Sequence, residues 1–469
     1  MLAIIILVGF IALQLGVGIF VSRFIKTADD FYVAGRKQGS LVITFSLFAT
    51  WFGSESCLSA AGRVSEHGLS AAKADPIAYT FCLLIYGFFL ARPLWSQKVV
   101  SIGSVIGDRF GKSAEMITGL ILAVTSLLWA AGQVRAFGHV LSMHLQLDFV
   151  VAIIAATSVA VIYTSFGGLL ADMYTDLIQG MVLIAGLLLL AFIVFTQIPG
   201  FHPLDVLFNL PTDRASLVSP DISMSSNIEL WLVPIAGSLI SQELVVRMSG
   251  SQNSQIAAKS SIMAAFLYLF IGLIPVVLGL LAPYLISKVN HGDDTLLVLA
   301  HQYLPYFMSI IFSAALVSAI LSTVDSALLA SSTAMTRNVV SRFVDFTRNT
   351  KLEIFFARLL VVIGGVVACI FAVSSESIHA LVTTASSFGT AGILILFLVG
   401  LFTRFGSPQS GLPTLVVGIL STLIFEYAYG LESPYFYSIA CSLSCFVMLE
   451  CYFSLKQKWA LAQSCREYS

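Results

Sequence analysis

Residues 46–56, SLFATWFGSES, decide how the rest of the chain is read. They lie inside an apolar segment running from about residue 41 to 61, long enough at ~1.5 Å per residue to cross a hydrocarbon layer ~30 Å thick. Yet its middle carries Gly53, Ser54, Glu55 and Ser56. A charge at the bilayer centre costs at least ~2.5–3.5 kcal/mol, so a carboxylate there faces a cavity, a partner or an ion. Glycine beside small polar residues also lets a helix unwind, and the freed carbonyls and hydroxyls can then hold a small cation. A kinked bundle helix with a buried, protonated Glu55 accounts for the same residues without an ion.

Composition sets the class. Of 469 residues, 58% are hydrophobic and only 10% charged, against about 25% charged in soluble chains. This is the composition of an all-α integral membrane protein. Seven cysteines contain no CxxC pair and most lie in apolar runs, which fits small buried side chains better than a metal site or a disulfide framework. Residues 2–21 lack a basic lead and an obvious cleavage site, so they read as a retained helix rather than a signal peptide.

Apolar runs broken by polar or Gly/Pro clusters give about thirteen candidate spans: 2–22, 41–61, 76–96, 115–143, 149–166, 172–197, 229–249, 261–287, 303–335, 355–374, 379–403, 411–428 and 433–455. With the N-terminus outside and the C-terminus cytoplasmic, most Lys and Arg fall on connections after odd-numbered spans and on the tail. Arg63, Lys73, Arg214 and Lys288 fall outside and Arg135 lies within a span. The expected localisation is therefore a cell membrane, crossed many times. The connection 199–227 reads as a cap or short surface helix, and the basic segment 337–358 as a loop beside anionic lipid. Neither a nucleic-acid role nor an obligatory protein partner is expected.

Carriers often contain inverted repeats with interrupted helices at equivalent positions. One polytopic domain is expected: an extra N-terminal helix and loop (1–40), a five-helix repeat (41–197), a second, inverted repeat (229–403) and two C-terminal helices (411–455). Each repeat opens on a helix interrupted by a Gly-Ser pair followed by an acid: FGSES at 52–56 with Glu55, and AGSLISQEL at 236–244 with Glu243.

Polar residues concentrate in two further spans. The ninth contains ALVSAILSTVDSALLASS (315–332), in which Ala319, Ser322, Thr323 and Ser326 share a helix face with Asp325 at its edge. Sodium, a hard cation, prefers such oxygens, although Ser and Thr also serve close helix packing. The sixth span opens with Asp172, Asp176 and Gln179. Asp172 fits a solvated position at the membrane edge, whereas Asp176, a turn deeper, fits an ion pathway.

FYVAGRKQGS (31–40), the pattern GG-x5-YTD-x2-Q (167–179) and STVDSALLASSTAMTRN (322–338) resemble the sodium:solute symporter family over nearly the whole chain. That resemblance implies a LeuT-type five-plus-five inverted repeat and a carrier, not an enzyme, with sodium as coupling ion. It implies a main sodium site from the carbonyls of Ala49, Phe52 and Ala319 with the hydroxyls of Ser322 and Thr323. It also puts Asp176, with Ser326 and Asp325, at a second ion site or on the ion route. Asp325 stands where the family often has a small or polar residue.

Within the family, TWFG (50–53), DPIAY (75–79), ARPL (91–94) and LWAAG (128–132) resemble the choline-transporting branch. They place Trp51, Tyr79 and Trp129 where that branch has aromatics around a quaternary ammonium, a cation that ring faces attract without hydrogen bonds. The aromatic expected in the seventh span falls on Ser241, which leaves polar roles to Gln242 and Glu243. Glu55 and Gln133 complete the expected solute contacts. Arg135 needs a counter-charge, expected to be an internal salt bridge or a solute carboxylate. The expected function is sodium-coupled symport of a small polar organic solute by alternating access, with choline or another quaternary ammonium as one class. An amino acid, sugar or organic acid is the alternative. A membrane nutrient sensor that binds without transport would be favoured by a fused signalling domain, and a channel by a continuous polar stripe.

Overall fold

The structure is a computed structural model. It describes residues 27–467 except 219–221, 287–291 and 347–348, together with residues 9, 12–14, 16–17, 20–21 and 23–25; the side chains at 28, 166–167 and 457–467 fall outside that description. The elements that position the site are α1 (Ser40–Trp51), α2 (Ala60–His67), α3 (Lys112–Leu145), α4 (Phe149–Ser165), α5 (Gly168–Thr196), α6 (Met224–Leu232), α7 (Gln242–Ser249), α8 (Ser254–Leu285) and α9 (Tyr306–Asn338). They are followed by α10 (Thr350–Ser374), α11 (Ile378–Ser387), α12 (Thr390–Phe402), α13 (Pro408–Leu423) and α14 (Pro434–Glu467). Among the described residues no strand forms. A single bridge, Gln38 to Ser251, ties the entry of α1 to the end of α7.

Without water in the hydrocarbon, a chain must satisfy its backbone internally, and helices do this within one segment. Polar caps mark helix starts: Asp148 accepts from the amides of Val150 and Val151 before α4, Asn253 from Ile256 before α8, and Ser377 from Ala380 before α11. Gly168, at φ 54° and ψ 179°, adopts a conformation open mainly to glycine and separates α4 from α5.

Among the described residues, eight helices are long and apolar enough to cross a membrane, ten when each of two bent pairs counts as one span. The expectation of about thirteen is not reached by this measure. The first candidate, 2–22, lies largely outside the described residues. The second is a short α1 that resumes past its break and ends at Gly68 (φ 71°), and the third follows Asp75, which leaves helical geometry at φ −131° and ψ 122°, and runs to Ser96 through changes of helix type. A bend that the sequence reading does not contain divides the eleventh span, where α11 and α12 meet at 46°.

Layering follows burial. In the most apolar stretch of α9, 83% of residues are buried, against 22% in α14 and 28% in α10, so α9 is the axis of the bundle and α10 and α14 present apolar sides to lipid. α9 packs against α1, α3, α10 and the α4–α5 pair. Its small residues, among them Ala315, Ser318, Ala319, Ser322 and Ser326, permit that many close neighbours.

Candidate ion and solute site

The first break begins where α1 stops. The amide of Phe52 makes the last helical bond, to the carbonyl of Phe48 at 2.8 Å. Phe52 then turns to φ −81° and ψ 60°, so the carbonyls from Ala49 to Phe52 lose their helical partners. The amide of Ser54 turns to the side-chain oxygen of Gln133 on α3, 2.7 Å away. Glycine is needed at 53: a Cβ there would stand 2.5 Å from the Gln133 oxygen and 2.7 Å from the Thr323 hydroxyl.

α9 meets this break with hydroxyls. Thr323 Oγ1 donates toward the carbonyls of Ala49 (3.3 Å) and Ala319 (3.2 Å). The neighbouring Ser322 hydroxyl donates to Asp176. The structure therefore brings Ala49, Ala319, Thr323 and Ser322 together beside Phe52, and ties this group to Asp176 on α5. Such a set of neutral oxygens backed by one carboxylate suits a small hard cation.

A second knot adjoins it through Asp176. Asp172, Asp176, Asp325 and Arg247 are all buried. Nη2 of Arg247 lies 2.5 Å from Asp172, 3.2 Å from Asp176 and 2.5 Å from the hydroxyl of Ser326, while Nε donates to Ser46 at 2.9 Å. Ser46 in turn donates to Asp176 at 2.5 Å. Asp325 caps the amide of its neighbour Ser326 at 2.9 Å. Asp172 is thus not solvated at the membrane edge, because Arg247 draws it inside. No sequence motif assigns Arg247 a role. The available signal was its place inside the span 229–249.

The second break is built on α6 and α7, which bend by 47° about Ser241. Here side chains carry the polarity. The Glu243 carboxylate accepts the hydroxyls of Ser126 and Ser241, both at 2.7 Å. It lines a cavity of about 490 Å³ with Trp51, Trp129, Thr125, Ser238 and Ser386.

Not all expected solute contacts share this cavity. Trp51, Trp129, Gln242 and Glu243 line it. Gln242, however, spends its side chain on backbone: it accepts from the Ile102 amide (3.1 Å) and donates to the Val100 carbonyl (2.7 Å). Tyr79 packs edge-on between the two indoles, with ring centroids 5.3 Å from Trp51 and 6.1 Å from Trp129. Its hydroxyl donates to Glu55 at 3.1 Å, and both residues line an adjoining pocket of about 380 Å³ with His379. His379 Nδ1 is 3.5 Å from Glu55. Gln133 lines neither space, because it braces the first break. Beside Glu55, the unread Asp75 is held by Ser56 (2.6 Å) and Tyr268 (3.0 Å).

Arg135 corrects another expectation. Among the described residues it makes no salt bridge; it donates to the carbonyls of Ala372 (2.9 Å) and Glu376 (3.0 Å) and lies over the Phe149 ring. It borders a wide vestibule of about 1,280 Å³ with Arg63, His139, Asp293 and His379, away from the 490 Å³ cavity. The face where α1 begins is laced together instead. Arg36 donates to the carbonyls of Ser249 (3.3 Å) and Lys98 (3.0 Å), and Trp95 to that of Ser251 (2.9 Å).

Broken helices that meet a buried, hydroxyl-rich helix around a mid-depth cavity define the LeuT-type class of helical membrane carriers. The chain belongs to the sodium:solute symporter family, which matches residues 31–418. A Drosophila melanogaster high-affinity choline transporter 1 is 27% identical over 395 residues, 80% of this chain; the chain spans 62% of that relative's length. A human high affinity choline transporter 1 is 25% identical over 433 residues, 88% of this chain and 72% of the relative. A solved Na+-coupled sialic acid symporter in a substrate-bound outward-open state has the same fold. It superposes at a TM-score of 0.84 and 18% identity, covering 96% of this chain and 98% of that one.

Proposed function

We propose that this protein is a sodium-coupled symporter of a small organic cation, with choline or another quaternary ammonium as its solute class. The observation that carries the reading is the first break: α1 ends in freed carbonyls, and Thr323 and Ser322 stand against them with Asp176 behind. In this reading sodium is held by the carbonyls of Ala49, Phe52 and Ala319 and the hydroxyls of Ser322 and Thr323. The solute occupies the cavity between Trp51, Trp129 and Glu243.

The cavity's chemistry supports a cation. Its titratable side chain is a carboxylate and its largest walls are indoles, which attract a diffuse positive charge by ~0.5–2 kcal/mol each. Arg135, the natural partner for an anion, stands elsewhere. Relatives named as choline transporters agree with this chemistry. Thr50 and Trp51 belong both to the cavity wall and to the turn that frees the carbonyls. Ordering that turn with one ligand therefore prepares the site of the other, so each raises the other's affinity.

The chain is read as two inverted five-helix repeats, residues 41–197 and 229–403, with the N-terminus outside and the C-terminus cytoplasmic. On that orientation the vestibule opens outward and the laced face is the inner gate. Gln242, which links the second break to the loop at 100–102, is a natural transmitter between cavity and gate. Uptake into proteoliposomes tests the reading with choline, betaine, proline, glucose and sialate, with and without an inward sodium gradient. The expected result is sodium-driven accumulation of choline or betaine. Equal uptake without the gradient would overturn sodium coupling, and selective uptake of sialate, proline or glucose would overturn the cation assignment.

A further inference from the structure

Resting on that reading, we propose that Arg247 is a tethered cation that fills the second ion position, so that the carrier binds one sodium ion rather than two.

Asp176, Ser326, Asp172 and Asp325 surround the second ion position; Asp325 accepts the amide of Ser326, and the oxygens of the other three face Arg247. All three lie within 3.2 Å of one guanidinium nitrogen, Nη2 of Arg247. Nε holds Ser46, and the Ser46 hydroxyl donates to the same Asp176 oxygen. A free cation could reach these oxygens only by displacing a group that is covalently fixed to α7. A guanidinium does not lose its proton in proteins, so this charge is permanent. Arg247 is fully buried, and water cannot stand in for its partners.

The placement also has a consequence for coupling. The remaining oxygen of Asp176 accepts the hydroxyl of Ser322, a ligand of the proposed sodium site. Asp176 thus lies between a fixed cation and an exchangeable one, and its field reaches the sodium site through Ser322. Arg247 sits four residues beyond Glu243, to whose carbonyl it donates at 3.4 Å, so one short helix carries both the tethered cation and the cavity's carboxylate. A merely structural salt bridge would stabilise the bundle but would not set how many ions are bound.

Equilibrium binding of radioactive sodium to the purified full-length chain reads the number directly. The expected stoichiometry is one saturable sodium per chain in the unsubstituted protein and one in Arg247→Lys, which keeps a cation in place. Arg247→Gln, which removes it, is expected to bind two. Two ions in the unsubstituted protein, or one in a folded Arg247→Gln variant, would overturn the proposal. If Arg247→Gln does not fold, the count in the unsubstituted protein and in Arg247→Lys decides alone. Absence of any saturable sodium would instead bring down the symporter reading, and this inference with it.

Discussion

The two broken helices are broken in different ways. At the first, between α1 and the helical run from Glu55, the groups facing α9 are backbone carbonyls, met by neutral hydroxyls from Ser322 and Thr323, while the Glu55 carboxylate turns away to Tyr79 and His379. At the second, between α6 and α7, the polar groups are ionisable side chains: Glu243 in the cavity and Arg247 one turn below. Carbonyls and hydroxyls can close around a small cation. A carboxylate beside indoles matches a larger, diffuse one. On the proposed reading, the exchangeable metal ion belongs to the first break and the solute and fixed charge to the second.

The charges at the second break make it the costlier to disturb. Arg247→Ala leaves Asp172 and Asp176 buried without their counter-ion, and removing one partner of a buried pair costs about 3–5 kcal/mol. The expected outcome is a large loss of thermal stability in detergent. Adding Asp172→Asn to Arg247→Ala should recover part of that loss, because one orphaned charge goes with it. If the double variant is as unstable as the two single losses summed, the ion pair is not the coupling element.

At the first break, replacing Ser322 and Thr323 together with Ala should leave folding nearly intact, since Ala is a good helix former. The sodium concentration for half-maximal uptake should rise by at least about tenfold, the equivalent of ~1.4 kcal/mol. An unchanged sodium titration in the well-expressed variant would move the ion elsewhere. Gly53→Ala strains the same place by pushing its Cβ onto Gln133 and Thr323. Sodium-driven uptake should fall, and Gln133→Ala in the same chain should restore part of it.

How much of this was legible in the sequence follows from how local each signal is. The first break could be read because Gly53, Ser54 and Glu55 sit together in an apolar run, and the second because Gly237, Ser238 and Glu243 repeat that pattern. The hydroxyl face of α9 could be read from helical spacing alone. Arg247's place in the span could be read but its partners could not, because Glu243 and Arg247 four residues apart look like an ordinary helix-surface pair, while its charged partners lie on α5. Gln242 and Gln133, expected as solute contacts, also accept the backbone amides of Ile102 and Ser54, partners that no local pattern announces. The bend between α11 and α12 rests on Phe388 and Gly389, a place with no acid or proline to announce it.

The smallest expected effect concerns the cavity wall. Affinity for choline should fall stepwise along Trp, Phe and Leu at position 51, by ~0.5–2 kcal/mol over the series, as ring electron density decreases and then disappears while apolar bulk is largely kept. A solute held by hydrogen bonds would not follow that order.

The central claim is that sodium at the first break and an organic cation beside the second stabilise one shared state. Linkage makes this measurable: choline affinity of the purified protein is titrated at several sodium concentrations, and sodium affinity at several choline concentrations. The account predicts that each ligand tightens the other by the same factor, and that this mutual effect vanishes in the Ser322→Ala/Thr323→Ala variant. Choline affinity that does not change between sodium-free and sodium-saturated protein would contradict it.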